Sequence, residues 1–372
     1  MQVEFPFLFN FAASYSQGGY KRLHEYARWF DHHGGAWFAI HPRCEHLRAR
    51  FPGNSYFTVA RSHFRRLFDD SSYLDEIGRT IGQPELYYAY GIPLYRRFGR
   101  MNWFHLQNVL TVGTHDVPLS VPLRLKMRLL ARRFRRGFAF ADIISAESQY
   151  SLGLFESPAA SRKVLSVNGN DDELAQLGER VRRLPDDLAT AIGTISYKAL
   201  DDTFVMFRGL QERNPGLQLV IIGEPKHVPG WLRRRSEVIV RGTLERQAVI
   251  DILRRSRFYL SATHVENSYN GAAEGAFLAA ESFISDIPPH RELLHGESFQ
   301  AVPIAGLSRP FLHVHRERLE GVNLKSWHAI ITEMIAAVRG GQGETAQVIH
   351  LRSDAATEPQ APADRRRQRS LR

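Results

Sequence analysis

The sequence predicts an α/β protein of two doubly wound domains that face each other across a cleft. Three observations carry this expectation. Short β-type runs alternate with helix-type stretches, the pattern of a parallel sheet covered on both faces. The alternation occurs twice, before and after a polar stretch over Asn170–Pro185. The 372 residues suit two domains of ordinary size, and a hydrophobic content of 43% is enough for two cores.

In the first half, Gln2–Phe9 reads as a strand. Gly18-Gly19 opens a helical stretch over Tyr20–Gly35 that ends on glycines. Ala36–Ile40 is the next strand, and Ser55–Val59 a third. Gly99–Val112 holds one or two more, and Ala141–Ala146 a further short one. Between them, Leu123–Phe138 has apolar residues at helical spacing: Leu123, Met127, Leu130, Phe134 and Phe138. Ser120 and Pro122 suit its start.

The second half repeats the logic. Leu188–Tyr197 is a strand, Leu200–Arg213 a helix and Leu217–Glu224 a strand. Glu237–Gly242 is a strand and Arg246–Arg255 a helix. Then come the strand Arg257–Ala262, a helix of small residues over Gly271–Ala280, and the strand Ser282–Asp286. Lys325–Val338 reads as a last helix. The expected division is a first domain over 1–170, a second over 171–324, a terminal helix over 325–340, and a disordered basic tail over 341–372.

Net charge is +10, which suits polyanionic or phosphorylated partners. Residues 123–138 concentrate it: seven basic residues and no acid. Such a helix can lie on an anionic membrane surface and hold a lipid-linked acceptor there. No recognised nucleic-acid module accompanies the charge, so no nucleic-acid partner is expected. No apolar run reaches the ~18 residues of a membrane span. The run VEFPFLFNFAA is short, lacks a positive leading region and carries Glu4 and Pro6, so it reads as a buried strand rather than a signal peptide. Cys44 is the single cysteine, which excludes an intramolecular disulfide. The expected location is the cytoplasm, peripheral on the inner face of the membrane. The sixteen histidines form no HExxH motif and no Cys/His array, so neither a metal nor a cofactor is expected.

The loop SATHVENSYNGAAEG carries the strongest chemical signal. A strand runs into it and a small-residue helix runs out, the arrangement by which open α/β sheets bind phosphates. Asn270, Gly271 and Ala272 open that helix and let a ligand approach the backbone. Glu274, one turn further in, is placed to accept hydrogen bonds from ribose hydroxyls.

This region, with Glu266 and Glu274 separated by seven residues, resembles the E-x7-E segment of retaining glycosyltransferases of family 4. The later SDIPPHREL resembles that family's s-D-x5-E segment. The resemblance implies a GT-B fold of two Rossmann-like domains. It also implies transfer of a hexose from a nucleotide sugar without a bound metal. Glu266 would then position the donor sugar. Lys198 resembles the lysine of the family's G-R-x4-K-G segment, which touches the diphosphate, with three residues rather than four between Thr194 and Lys198. This chain departs there: Thr194 stands where the arginine is usual, and Ala199 where the second glycine is usual. Gly18 and Gly19 resemble the G-G-x-x-R loop that faces the donor phosphate. Leu244, in RGTL, matches the segment whose backbone frames the nucleotide base. FHLQN, with His105 and Asn108, and THD, with His115, resemble two versions of the acceptor-side histidine segment. The choice between the two histidines stays open, and His115 is preferred as the catalytic one. The implied acceptor is lipid-linked or an oligosaccharide, in the synthesis of a surface polysaccharide. Two rival readings are a non-catalytic protein that binds nucleotide sugars and a sugar-nucleotide epimerase.

Overall fold

A computed structural model of the chain describes residues 7–15, 17–60, 71–113, 117, 119–154, 158, 160–170, 186–294, 299–319 and 324–340. His115, the expected join over 171–185 and the tail over 341–372 lie outside the described residues.

Two seven-stranded sheets are present, as the double alternation predicts. The first contains β1 (Phe7–Asn10), β2 (Trp37–Ile40), β3 (Ser55–Thr58), β4 (Leu86–Tyr90), β5 (Met101–His105), β6 (Ile143–Ala146) and β7 (Arg162–Leu165). Its order is β3-β2-β1-β4-β5-β6-β7, parallel throughout. The second contains β8 (Asp186–Ile192), β9 (Gln218–Ile222), β10 (Val238–Arg241), β11 (Ser256–Ser261), β12 (Glu281–Ser285), β13 (Ala301–Val302) and β14 (Phe311–His315). Its order is β10-β9-β8-β11-β12-β14-β13, parallel as far as β12 and antiparallel beyond. Both sheets therefore reverse their winding beside the first strand of the domain, where such sheets open a ligand crevice.

The helices are α1 (Gln17–Asp31), α2 (His46–Arg50), α3 (Ser72–Ile81), α4 (Val121–Gly137), α5 (Gln149–Gly153), α6 (Leu200–Gln211), α7 (Gly230–Arg233), α8 (Arg246–Arg255), α9 (Asn270–Leu278), α10 (Pro288–Leu293) and α11 (Trp327–Arg339). The last of these packs on the first sheet. Trp327, Ile331, Met334 and Val338 join one buried cluster with Phe7, Phe9, Tyr26 and Phe30.

Strand β4, LYYAY, was not expected. It lies at the centre of its sheet and every residue is buried, so it has no alternation of polar and apolar positions to read. Its tyrosine hydroxyls find partners inside. Asn10 donates to Tyr87, Arg22 donates to Tyr88, and Tyr90 donates to Glu147. Gly99–Val112 yields one strand, β5, and then a single 3-10 turn capped by Asn108.

The basic helix corrects a second expectation. Met127, Phe134 and Phe138 are buried, and Leu123 and Leu130 pack half-buried beside Val109, Leu110 and Val265. The stripe read from the sequence thus faces the protein. A different row stays exposed at a spacing of four: Val121 (78%), Leu125 (58%) and Leu129 (42%). Arg124, Arg128 and Arg132 run beside it, also exposed.

Candidate functional site

The residues singled out in the sequence follow the carboxyl ends of strands in both sheets, so the two domains present them to one cleft. Gly18 and Gly19 lie in the first turn of α1, after β1. Gly193 and Thr194 follow β8, Leu244 follows β10, and Glu266 follows β11 in the loop that leads to α9. Leu244 is half-buried between β10 and α8.

Glu266 forms a tight ion pair with Lys198. Burial alone would lower the lysine's pKa, but Glu266 and the hydroxyls of Tyr197 and Tyr259 outweigh it and push it up, so the ammonium stays charged. The lysine stem lies across Gly193, whose φ of 94° favours glycine. His290 lies within electrostatic reach of the pair. Its Nδ1 donates to the Ser285 carbonyl at 2.7 Å, and burial holds it below the usual imidazole range.

Glu274 is held between two cations. Lys21 Nζ lies 3.4 Å from one oxygen and Arg246 Nη1 2.9 Å from the other. Lys21 belongs to α1, so this contact crosses between the domains. Asn270, Gly271 and Ala272 form the first turn of α9, where backbone N–H groups lack intrahelical partners. Gly271 and Gly275 pack on the buried Tyr259.

The two glycines of the first domain differ. A side chain at Gly19 would meet Gln107 Nε2 at 2.5 Å, whereas one at Gly18 would meet nothing within 4 Å. Gly19 is closely packed against Gln107 and Ser14, and Gly18 leaves open space at the helix start.

Thr194 does not replace the usual arginine in kind. It is buried, and its hydroxyl donates to the Glu224 carbonyl at 3.1 Å, which ties the end of β8 to the end of β9. No side chain at that position offers charge to a phosphate.

His105, expected on the acceptor side, is wholly buried instead. Its Nδ1 is 2.7 Å from Ser145 Oγ and its ring stacks on Tyr90. Nε2 stands 3.6 Å from Glu147, beyond hydrogen-bond length, and has no other partner among the described residues. Burial and the Arg22 charge lower its pKa to about 4, so it is neutral at pH 7. Asn108 spends its side-chain oxygen on the Leu110 N–H and serves as a cap.

Several further residues complete the site, and Arg246 among them had no local sequence signal. Arg246 opens α8, far in sequence from Glu274. Asn267 donates to the Leu106 carbonyl at 2.9 Å across the cleft. Arg22, Asn168 and Ser268 form a chain from α1 to the loop before α9. Glu292 accepts from the Gln149 and Tyr150 N–H groups, each at 2.7 Å, and thus meets the start of α5 in the other domain.

No protein-family model matches the chain, and a search of the curated proteins finds no match. Solved structures do resemble it. Sucrose-phosphate synthase from Thermosynechococcus elongatus is 13% identical, with 90% of this chain and 98% of that one covered at a TM-score of 0.62. A glycosyltransferase from Rickettsia africae is 11% identical, with 92% and 100% covered at 0.59. A putative UDP-N-acetylglucosamine 2-epimerase from Listeria monocytogenes is 10% identical, with 92% and 98% covered at 0.55. At these identities the likeness is one of fold: the chain has the two-domain GT-B architecture over nearly its whole described length.

Proposed function

We propose that the chain is a retaining glycosyltransferase that moves a hexose from a nucleotide sugar to a lipid-linked or oligosaccharide acceptor, in the synthesis of a surface polysaccharide. The observation that supports this most is the cationic edge of the cleft. Lys198, Lys21 and Arg246 converge on Glu266 and Glu274 beside the open start of α9. Transfer from a nucleoside diphosphate breaks the bond between the anomeric carbon and the phosphate oxygen and leaves an anion. Charges and N–H groups fixed in advance stabilise that anion without reorganisation. In this reading Lys198 and the α1 start hold the diphosphate, and Lys21 and Arg246 supply the charge that Thr194 lacks. Glu274 binds the ribose, and Glu266 positions the donor sugar. With His105 buried, His115 remains the acceptor-side candidate.

The test is a binding and hydrolysis screen against UDP-, GDP-, ADP- and dTDP-sugars. One donor is expected to bind saturably and hydrolyse slowly. Lys198→Ala and Glu274→Ala are each expected to weaken this about tenfold or more, each losing a charge-assisted contact. Binding with no turnover, even with membrane lipid extract as acceptor, would favour a non-catalytic nucleotide-sugar-binding protein. The Thr194 hydroxyl bond is the observation that speaks for that second reading. Absence of binding to every donor would remove the site assignment.

The acceptor side of this proposal includes α4 as a membrane-facing helix. Its exposed Val121, Leu125 and Leu129, flanked by arginines, suit an anionic leaflet. The protein is expected to cosediment with vesicles that contain phosphatidylglycerol, less so at high salt, and not with neutral phosphatidylcholine vesicles. Leu125→Glu with Leu129→Glu should abolish the cosedimentation; if it survives intact, another surface carries the contact.

A further inference from the structure

At the end of the second sheet remote from the cleft, three side chains converge, one of them brought in only by the pairing of two strands. Glu281 is the first residue of β12, and His315, the last of β14, is its register partner across the antiparallel pair. His313, two residues before His315, shares its face of the sheet. One ligand atom from each of the three lies within 4.8 Å of the others, which among the described residues marks them as a group able to hold a metal ion.

We propose that Glu281, His313 and His315 form a divalent transition-metal site, of the kind that binds zinc, which clamps β12 to β14. Two imidazoles and one carboxylate are a donor set that zinc accepts in a tetrahedron, with water at the open position. Glu281 Oε2 is already 2.8 Å from His313 Nε2 and 4.0 Å from His315 Nδ1. Neighbouring ligands around tetrahedral zinc stand roughly 3.3 Å apart, so side-chain shifts below about 1 Å close the site. Phe283 stacks on the His313 ring at 4.2 Å with planes 8° apart, which fixes the ring and walls one side. The three side chains are partly open to solvent, with His315 the most exposed at 40%. Arg257, on the neighbouring β11, is the nearby charge that opposes a cation. It is within 3.6 Å of Asp187, which offsets part of that opposition.

The location separates this site from the glycosyl chemistry. Ligands of open parallel sheets bind at the carboxyl ends of the strands, and Glu281 stands at the amino end of β12. The clamp would act on stability, at the strand pair where the sheet changes from parallel to antiparallel.

The test uses the full chain, stripped with EDTA, dialysed and free of any affinity tag. Titration calorimetry with zinc chloride should show one high-affinity equivalent per chain, and about 100 µM zinc should raise the melting temperature by several degrees. His315→Ala and Glu281→Gln are each expected to weaken zinc uptake about tenfold or more. His315→Ala removes an exposed ring and should fold; circular dichroism of the metal-free variant checks this. Glu281→Gln keeps the shape and a hydrogen bond to His313. Two results would overturn the proposal: no zinc uptake by the parent protein, or uptake and stabilisation unchanged in both variants. The second would place the metal elsewhere on the chain.

Discussion

Arg22→Met is expected to lower stability by about 3–5 kcal/mol and the melting temperature by roughly 10 °C or more. Arg22 is fully buried, with no accessible surface. Its guanidinium donates to Asn168 Oδ1 at 3.0 Å, to the Ser166 and Val167 carbonyls at 2.9 and 2.8 Å, and to Tyr88 at 3.1 Å. It lies over the rings of Tyr26, Tyr90 and Trp327. Glu147 is 4.0 Å away and almost wholly buried. Burial works against ionisation of that carboxyl, but His105, Arg22 and Tyr90 together outweigh it and keep it charged. Methionine fills most of the volume and none of these bonds. Two carbonyls lose their donor and Glu147 loses its countercharge, and an uncompensated buried charge is the expensive case. Arg22→Lys should fall between, since it keeps the charge but not the planar fork that reaches several acceptors. Thermal unfolding of the two variants checks the order. A loss below about 1 kcal/mol in Arg22→Met would mean that the cluster relaxes or admits water freely.

Gly275→Ala is the second large effect. Alanine is the better helix former, by roughly 1 kcal/mol. That gain is overwhelmed here, because a Cβ at Gly275 would lie only 2.0 Å from Cδ1 of the Tyr259 ring. Tyr259 is buried on β11 and its ring cannot swing into solvent, so α9 itself must move away from the sheet. Overpacking of this kind costs about 1–3 kcal/mol and sometimes more. A net loss of about 2 kcal/mol is expected, together with weaker donor binding, because Glu274 and the helix start travel with the backbone. Gly18→Ala is the control for stability, since its Cβ meets nothing. If Gly275→Ala melted at or above the parent temperature, the contact between α9 and β11 would be looser than described.

Much of this architecture was legible in the sequence. The doubled alternation of strand and helix pointed to two doubly wound sheets, because parallel strands and their crossovers leave that rhythm in any order of residues. The strand, loop and helix that carry Glu266 and Glu274 were legible too, since that run is local. What was hidden depended on distant partners. The tyrosine-rich β4 has no periodicity because both of its faces are covered. The apolar row of α4 read as a single stripe, yet the helix buries one row and exposes another, and only its neighbours decide which. Thr194 looked like a missing arginine, and only the adjacent β9 shows that its hydroxyl ties two strand ends together. His105 looked like an acceptor-side ligand until β4 and β6 covered it. Glu281, His313 and His315 meet across a strand pairing that no local spacing announces.

The bonds across the cleft carry one further consequence. Lys21 holds Glu274, Asn267 holds the Leu106 carbonyl, and Glu292 holds the start of α5. The first domain therefore behaves as a tethered competitor for the surface that a ligand would use. Tethering on this scale gives an effective concentration of order millimolar, so a ligand seated at Glu274 must first displace Lys21. Its measured affinity is its intrinsic affinity discounted by the fraction of molecules in which that contact is already open. Weakening the tether alone, as in Lys21→Ala, removes the competitor as well as a cation, so its effect on affinity is the difference between those two terms.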